Sequence, residues 1–426
     1  MNTRTAVSSR EGMPGGIQAD RQGSPNWRTR LARAAMQQTF AGLSQGLLTV
    51  REDGREEHFG DGHARPDLHG IVEVRHPNLW LDVLANGALG AGEAYMKGYW
   101  TSPDLTAVVR IFCANLMTLQ ALDGPLSQLA KPALRGLHWL NRNTEQQARR
   151  NIAAHYDLGN EMFRLFLDPT MMYSSAIYPH ADSTLDEAAV HKLDVVCRKL
   201  ELKPGDHLLE IGTGWGGLAV HAAQHYGCRV TTTTLSQAQY EVAVQRAQDA
   251  GVADRITFLR DDYRQLSGQY DKLVSIEMIE AVGHQYMDTY FDKLATLLKP
   301  DGLALVQAIT ITDQRYESAL RSVDFIQRYI FPGGFLPSVS ALAGSVARTS
   351  DLNIVHLEDI GRHYARTLHD WRRRFFANLP QVRALGYDDT FVRMWDYYLC
   401  YCEGGFRERA IGTAQVLLAR GQWRGA

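Results

Sequence analysis

The reading of this chain turns on "HLLEIGTGWGG", residues 207–217. An apolar, strand-like run reaches Glu210 and then passes into Gly212, Gly214, Gly216 and Gly217, after which a helical period begins. Glycine at this density serves close approach of bare backbone to a ligand better than it serves a turn alone. The spacing of Gly212, Gly214 and Gly217 fits the dinucleotide pattern G-x-G-x-x-G, but that pattern is weak by itself. The acid expected roughly 20 residues further on, which would hold the ribose of a dinucleotide, is missing. That region reads "VTTTTLS". Glu210 also stands directly before the loop, where a carboxylate repels a pyrophosphate and attracts an ammonium or a sulfonium. S-adenosylmethionine (SAM) fits this turn better than a nicotinamide cofactor does.

Outward from the turn, strand-like and helical runs alternate. "HLLEI", "RVTTTTL", "RITFLR", "DKLVSI" and "LALVQAITI" are the strand candidates. Ser236 and Gln239 have capping-box spacing at the head of one intervening helix, and "LKPDG" (298–302) reads as a turn before a buried strand. This alternation predicts an α/β fold, a parallel sheet with helices on both faces and ligands at the carboxyl ends of the strands. Beyond residue 310 the period becomes mostly helical and rich in aromatics.

Upstream, residues 1–25 are rich in Ser, Gly and Pro and read as a disordered tail. Trp27, Leu31 and Ala35, then Phe40, Leu43 and Leu47, recur at helical spacing and predict a core-facing helix. The sharper alternative is an amphipathic contact with anionic lipid. Short apolar runs such as "GIVEVRH" and "LWLDVLA" predict a few strands, with helices following up to about residue 140. The expected organisation is a smaller N-terminal α+β domain over 26–140 and a cofactor-binding catalytic domain over 141–426.

The 426 residues carry a formal net charge of only -2, so no global field argues for nucleic acid as a partner. The local arginine clusters read as solvated faces. The 5 cysteines form neither a paired framework nor a zinc-ligand spacing. A reducing cytoplasm and no metal are expected. No apolar run reaches the ~18–20 residues of a membrane span, so any meeting with a membrane is peripheral.

Further motifs lie in one order along the chain: "HYDLGNEMF" (155–163), "MMYSSAIY" (171–178), "TLSQAQ", "DDYRQL", "SIEMIEAVGHQYMDTYF", "GRHYARTL" and "YYLCYCEGGFRER". In this the chain resembles the cyclopropane-fatty-acyl-phospholipid synthases and their mycolic-acid-modifying relatives. The match runs from about residue 145 to the C-terminus, with "LGAGEAYMKGYW" extending it upstream. The resemblance implies a class I methyltransferase (Rossmann-like) sheet. It implies SAM contacts at Tyr173, Ser174, Gly212, Gly214, Thr234, Leu235, Gln239 and Asp261 or Asp262, beside the Glu210 and Gly216 of the turn. His155, Tyr156 and Asp157 are expected to shape a lid over the cofactor.

The resemblance further implies methylene transfer to the cis double bond of an unsaturated phospholipid acyl chain, at a membrane surface, by an enzyme whose relatives often form homodimers. An alkene attacks the methyl sulfonium directly and leaves a carbocation on the chain. The site must therefore align the reactants, exclude water and supply a base. In the family the base is a bound bicarbonate cradled by a Cys, a Glu, a His and a Tyr. Glu280 matches the Glu and Tyr364 the Tyr, and a Glu280→Gln variant is expected to bind cofactor but turn over poorly. Ser175 stands where many members have Cys, and Gln307 where they have His. These departures leave two product outcomes, a cyclopropane (favoured) or a methyl- or methylene-branched chain, and a third reading, a SAM-binding lipid module that has lost its chemistry. Cys402 aligns with a cysteine of the family's C-terminal motif. It is expected to be buried on the face it shares with Trp395 rather than to act as a nucleophile. Of the aromatics between 363 and 401, only Tyr364 is assigned to the cation.

Overall fold

The computed structural model describes residues 26–116 and 158–425. The tail 1–25, the expected boundary near 140 and the lid residues His155, Tyr156 and Asp157 lie outside the described residues.

Asn26 caps the first helix, Trp27–Phe40, by accepting from Thr29 N at 3.0 Å. Its buried stripe is Thr29, Ala32, Met36 and Phe40. Of the residues expected to look inward, Phe40 and Leu43 are buried, whereas the first turns point out, with Trp27 70% and Leu31 66% exposed. Arg33 sets this rotation by pairing with Glu52 at 2.7 Å and Glu57 at 3.2 Å on the sheet below. That sheet has four strands: β1 (Leu47–Glu52), β2 (Arg55–Phe59), β3 (His69–Val74) and β4 (Trp100–Thr101), in the order β2-β1-β3-β4. "LWLDVLA", expected as a strand, opens the helix Asn78–Met96, which kinks at Gly87. A short apolar run carries no period that separates a buried strand from a buried helix, so packing settles it.

The second sheet has seven strands: β5 (His207–Ile211), β6 (Arg229–Thr233), β7 (Ile256–Leu259), β8 (Tyr270–Ile276), β9 (Leu298–Ile311), β10 (Asn353–Asp359) and β11 (Ile411–Ala419). Their order is β10-β11-β9-β8-β5-β6-β7. β5 to β9 are the five strands expected, and they pair in parallel. β11 is antiparallel to both of its neighbours. The chain order reverses between β5 and β8, which opens a crevice at their carboxyl ends. β10 and β11 were not read from sequence, where this region looked mostly helical. "LKPDG" forms the irregular start of β9, where the pairing jumps from Tyr270↔Leu298 to Lys272↔Leu303. Ser236 caps its helix through Gln239 N, but the Gln239 side chain turns to Thr234 and the reciprocal half of the box is not made.

The four-stranded sheet shares a hydrophobic core with the C-terminal helices, while the seven-stranded sheet is packed in two further clusters. One cluster joins Met36 and Trp80 to Trp371 and Trp395. The helix Asp389–Arg407 fits between the N-terminal helices because two glycines leave room. A Cβ on Gly92 would lie 2.5 Å from the Phe325 ring, and one on Gly404 2.6 Å from Val109. Tyr95 Oη donates to Asp396 at 2.7 Å across the same seam.

Candidate active site

The glycine turn leaves β5 in left-handed backbone. Gly212 has φ 101, Gly214 φ 51 and Gly216 φ 83. The N–H groups of Gly212 and Thr213 donate to Thr233 O at 3.1 and 3.0 Å, which ties the turn to β6. Gly216 heads the helix Gly217–His225. A Cβ on Gly217 would meet Thr170 O at 2.7 Å, whereas one on Gly214 would meet nothing within 4 Å. The turn is therefore packed from below and open above Gly214.

Side chains from neighbouring strand ends border that opening. Thr234 Oγ1 donates to Gln239 Oε1 at 2.8 Å, and Gln239 Nε2 is buried with no partner. Leu235 is half-buried beside them. Asp261 is exposed at the end of β7, and its carbonyl accepts from Thr233 Oγ1 at 2.6 Å. Asp262 is buried and holds Arg264 through two contacts of 2.8 and 2.7 Å. Asp261 therefore suits an incoming adenine amine better than Asp262 does. An orphaned amide donor, an open glycine backbone and an exposed carboxylate at one sheet edge fit SAM.

Glu210 is buried and accepts from Thr232 Oγ1 at 2.6 Å. Burial pushes its pKa up to about 8. A cation placed against it would bring that value down. Ser174 Oγ accepts from Lys192 Nζ at 3.0 Å. Lys192 is fully buried, which pulls its pKa down to about 8. Tyr173 Oη pairs with Tyr398 Oη at 2.9 Å.

At the end of β8 the structure brings together Ser175, Gln307 and Tyr364, and it centres them on a residue that sequence reading passed over. Glu277 Oε1 accepts from Ser175 N at 3.0 Å and from Gln307 Nε2 at 2.7 Å. Its Oε2 accepts from Tyr364 Oη at 2.7 Å. Ser175 contributes only its backbone here, since its Oγ bonds Ala176 O at 3.0 Å. Gln415 Nε2 donates to Gln307 Oε1 at 2.9 Å and so fixes which end of the Gln307 amide faces Glu277. Glu280 lies next to this group. Its Oε1 accepts from Ile309 N, and its Oε2 is buried without a partner. Burial, then the charge of Glu277, pushes the Glu280 pKa up to about 8. Burial also raises that of Glu277, against the three donors, which lower it.

Both carboxylates line a cavity of about 930 Å³. Tyr173, Tyr364 and Cys402 line it at this end, and Met36, Trp80 and Phe112 line it within the N-terminal half. Cys402 was expected to be buried with Trp395 but is half-buried and faces the cavity, and burial drives its thiol pKa far above the usual range. Tyr364 stacks on Phe406 with centroids 4.6 Å apart while its hydroxyl stays on Glu277. Trp371, Phe375 and Trp395 are core, whereas Tyr397, Tyr398 and Tyr401 reach the cavity. Sequence reasoning missed Glu277, Lys192 and the Ile309 N–H. The available signal for Glu277 was a second acid, three residues before Glu280, in a chain lacking the expected Cys and His.

The family model described as mycolic acid cyclopropane synthetase matches residues 143–416. Tuberculostearic acid methyltransferase of Mycobacterium tuberculosis is 38% identical over 388 residues, covering 85% of this chain and 87% of that protein. Cyclopropane-fatty-acyl-phospholipid synthase of Escherichia coli K12 is 38% identical over 355 residues, 82% and 88% of the two chains. The solved structure of mycolic acid cyclopropane synthase CmaA1 complexed with SAH and CTAB superposes with a TM-score of 0.60 at 32% identity, covering 64% of this chain and 98% of that one. The matched residues span the seven-stranded sheet, the glycine turn and both carboxylates, and the chain belongs to the mycolic acid cyclopropane synthetase family of SAM-dependent methyltransferases.

Proposed function

We propose that this chain transfers the methyl carbon of SAM to the cis double bond of an unsaturated phospholipid acyl chain and releases it as a cyclopropane. The observation that carries this reading is the cavity. It is walled largely by apolar side chains, runs under both sheets and ends on a pair of carboxylates. A hydrocarbon tail gains by leaving water for such walls, and only an acid–base step needs the carboxylates at the end.

SAM, when bound, supplies an electrophilic methyl group. The chain's own residues do the rest. Gly212, Gly214, Gln239 and Asp261 hold the cofactor, and Tyr173 borders both the motif that contacts it and the cavity. The aromatic faces of Tyr173 and Tyr398 can stabilise a cation on the acyl chain. The apolar walls keep out water that would trap that cation. Trp27 and Leu31 are exposed beside Arg28 and Arg30, as a helix resting on an anionic bilayer requires. None of the described helices is long and apolar enough to cross a membrane.

A second reading is transfer to the same double bond without ring closure: loss of a proton from a neighbouring chain carbon gives a methyl-branched alkene, and loss from the delivered carbon after a hydride shift gives a methylene branch. It is favoured by Ser175 and Gln307, and by the tuberculostearic acid methyltransferase standing as near in identity as the cyclopropane synthase. Incubation with methyl-labelled SAM and liposomes of cis-unsaturated phospholipid, followed by proton NMR of the lipid, tests both. Ring methylene protons far upfield support the first reading and exocyclic methylene protons far downfield the second. SAM binding with no label in lipid refutes both.

A further inference from the structure

The bicarbonate that the family resemblance implies does not fit this chain. The donors available to cradle it, Ser175 N, Gln307 Nε2 and Tyr364 Oη, are already spent on the Glu277 carboxylate at 3.0, 2.7 and 2.7 Å. A free anion would have to displace that carboxylate and then sit between it and Glu280. A carboxylate and a bicarbonate present the same planar pair of oxygens, so a site built for one is filled by the other.

We propose that Glu277 is the general base of the reaction and stands, as part of the chain, in the place of a bound bicarbonate. This rests on the acyl-transfer reading above.

Four observations carry it. Glu277 borders the cavity, so it can reach a bound acyl chain. Its backbone lies in the left-handed region at φ 49, a conformation non-glycine residues rarely adopt and one that clusters at functional sites. All three of its donors are neutral groups. Gln307 in particular orients the carboxylate without forming the ion pair that a charged histidine would form, so the negative charge stays available. Finally, Glu280 has an Oε2 with no partner among the described residues and only backbone N–H donors, the setting of a carboxyl that keeps its proton while its neighbour is ionised.

The step balances with no other reactant. Once the double bond has taken up the methyl carbon, the acyl chain carries one positive charge. Glu277 removes one proton. If the proton comes from the delivered carbon, the C–H electron pair becomes the second C–C bond and closes the ring. If it comes from the adjacent chain carbon, the pair becomes a C=C bond. Either way the lipid leaves neutral, Glu277 is left as the acid, and its proton passes to water after release.

The test uses the full chain, methyl-labelled SAM and liposomes of cis-unsaturated phospholipid, in carbonate-free buffer with or without added bicarbonate. Wild-type turnover is expected to be the same in both, and Glu277→Gln to bind SAM normally while losing about 100-fold or more in turnover. Wild-type protein that stalls without bicarbonate and recovers with it overturns the proposal, as does Glu277→Gln turning over like wild type. If Glu277→Gln does not fold, the wild-type bicarbonate response decides alone. Wild-type protein that binds SAM but labels no lipid under either condition overturns the acyl-transfer reading instead, and this proposal falls with it.

Discussion

The glycine turn and the carboxylate pair sit at the ends of adjacent strands, β5 and β8, and are built in opposite ways. The turn is backbone. Its left-handed residues, Gly212, Gly214 and Gly216, alternate within five positions, and its partner is the carbonyl of Thr233 on the next strand. The pair is side chain. Glu277 and Glu280 follow β8, and the donors to Glu277 come from the loop at Ser175, from β9 and from the helix Gly361–Ala377. Shape governs the first region and charge the second, so different substitutions should break them.

The largest effect is expected where shape is changed alone. Gly214→Leu adds a side chain into the space above the turn, where no described residue lies within 4 Å. The left-handed φ of Gly214 costs the variant about 1–2 kcal/mol of stability, so the fold should survive with a lowered urea midpoint, while calorimetry shows SAM affinity reduced at least ~100-fold, about 2.7 kcal/mol. Normal SAM binding by this variant would remove the turn from the cofactor site.

A smaller effect is expected where charge is changed at the residue first singled out. With Glu277 as base, Glu280 acts as a neutral acid near pH 7, and Gln is close to isosteric with that form. Glu280→Gln should lose about tenfold in turnover, roughly 1.4 kcal/mol, well short of the loss for Glu277→Gln. The reverse ranking in a steady-state assay would return the base to Glu280.

The same contrast explains what the sequence made legible. The five parallel strands and the glycine turn follow from local patterns, apolar runs and glycine spacing, and both were readable, whereas the strand order that makes the switch point was not. β10 was not, because all of its residues are exposed and it is an edge strand held by pairing with β11. The rotation of the first helix was misread because the Arg33 pairs with Glu52 and Glu57 outweigh the apolar count of its faces. Glu277 was passed over although its neighbours Ser175, Gln307 and Tyr364 were all named. Their convergence is a tertiary fact that no single stretch contains. What the sequence did show was an absence, Cys and His replaced together, and an added acid nearby is the natural compensation to look for.

The pH dependence of stability separates the two regions with the least perturbation. Glu280 and Glu210 titrate near 4.5 when unfolded and are raised to about 8 in the folded chain, chiefly by burial. Between those values the folded state holds protons that the unfolded state has released. The cofactor-free protein should therefore lose stability as pH rises from about 5 to about 8, by at most ~1.4 kcal/mol per pH unit for each group, and level off for these groups above that. Lys192, lowered from 10.5 to about 8 by burial, acts with the opposite sign only above this window. Urea midpoints at constant ionic strength measure the slope. Glu280→Gln should remove one share of it. With the cofactor's cation placed against Glu210, as proposed above, saturating SAM should remove the share that Glu210 contributes, so that Glu280→Gln with SAM lacks both contributions. A slope that SAM leaves untouched would show that Glu210 does not face the cofactor's charge.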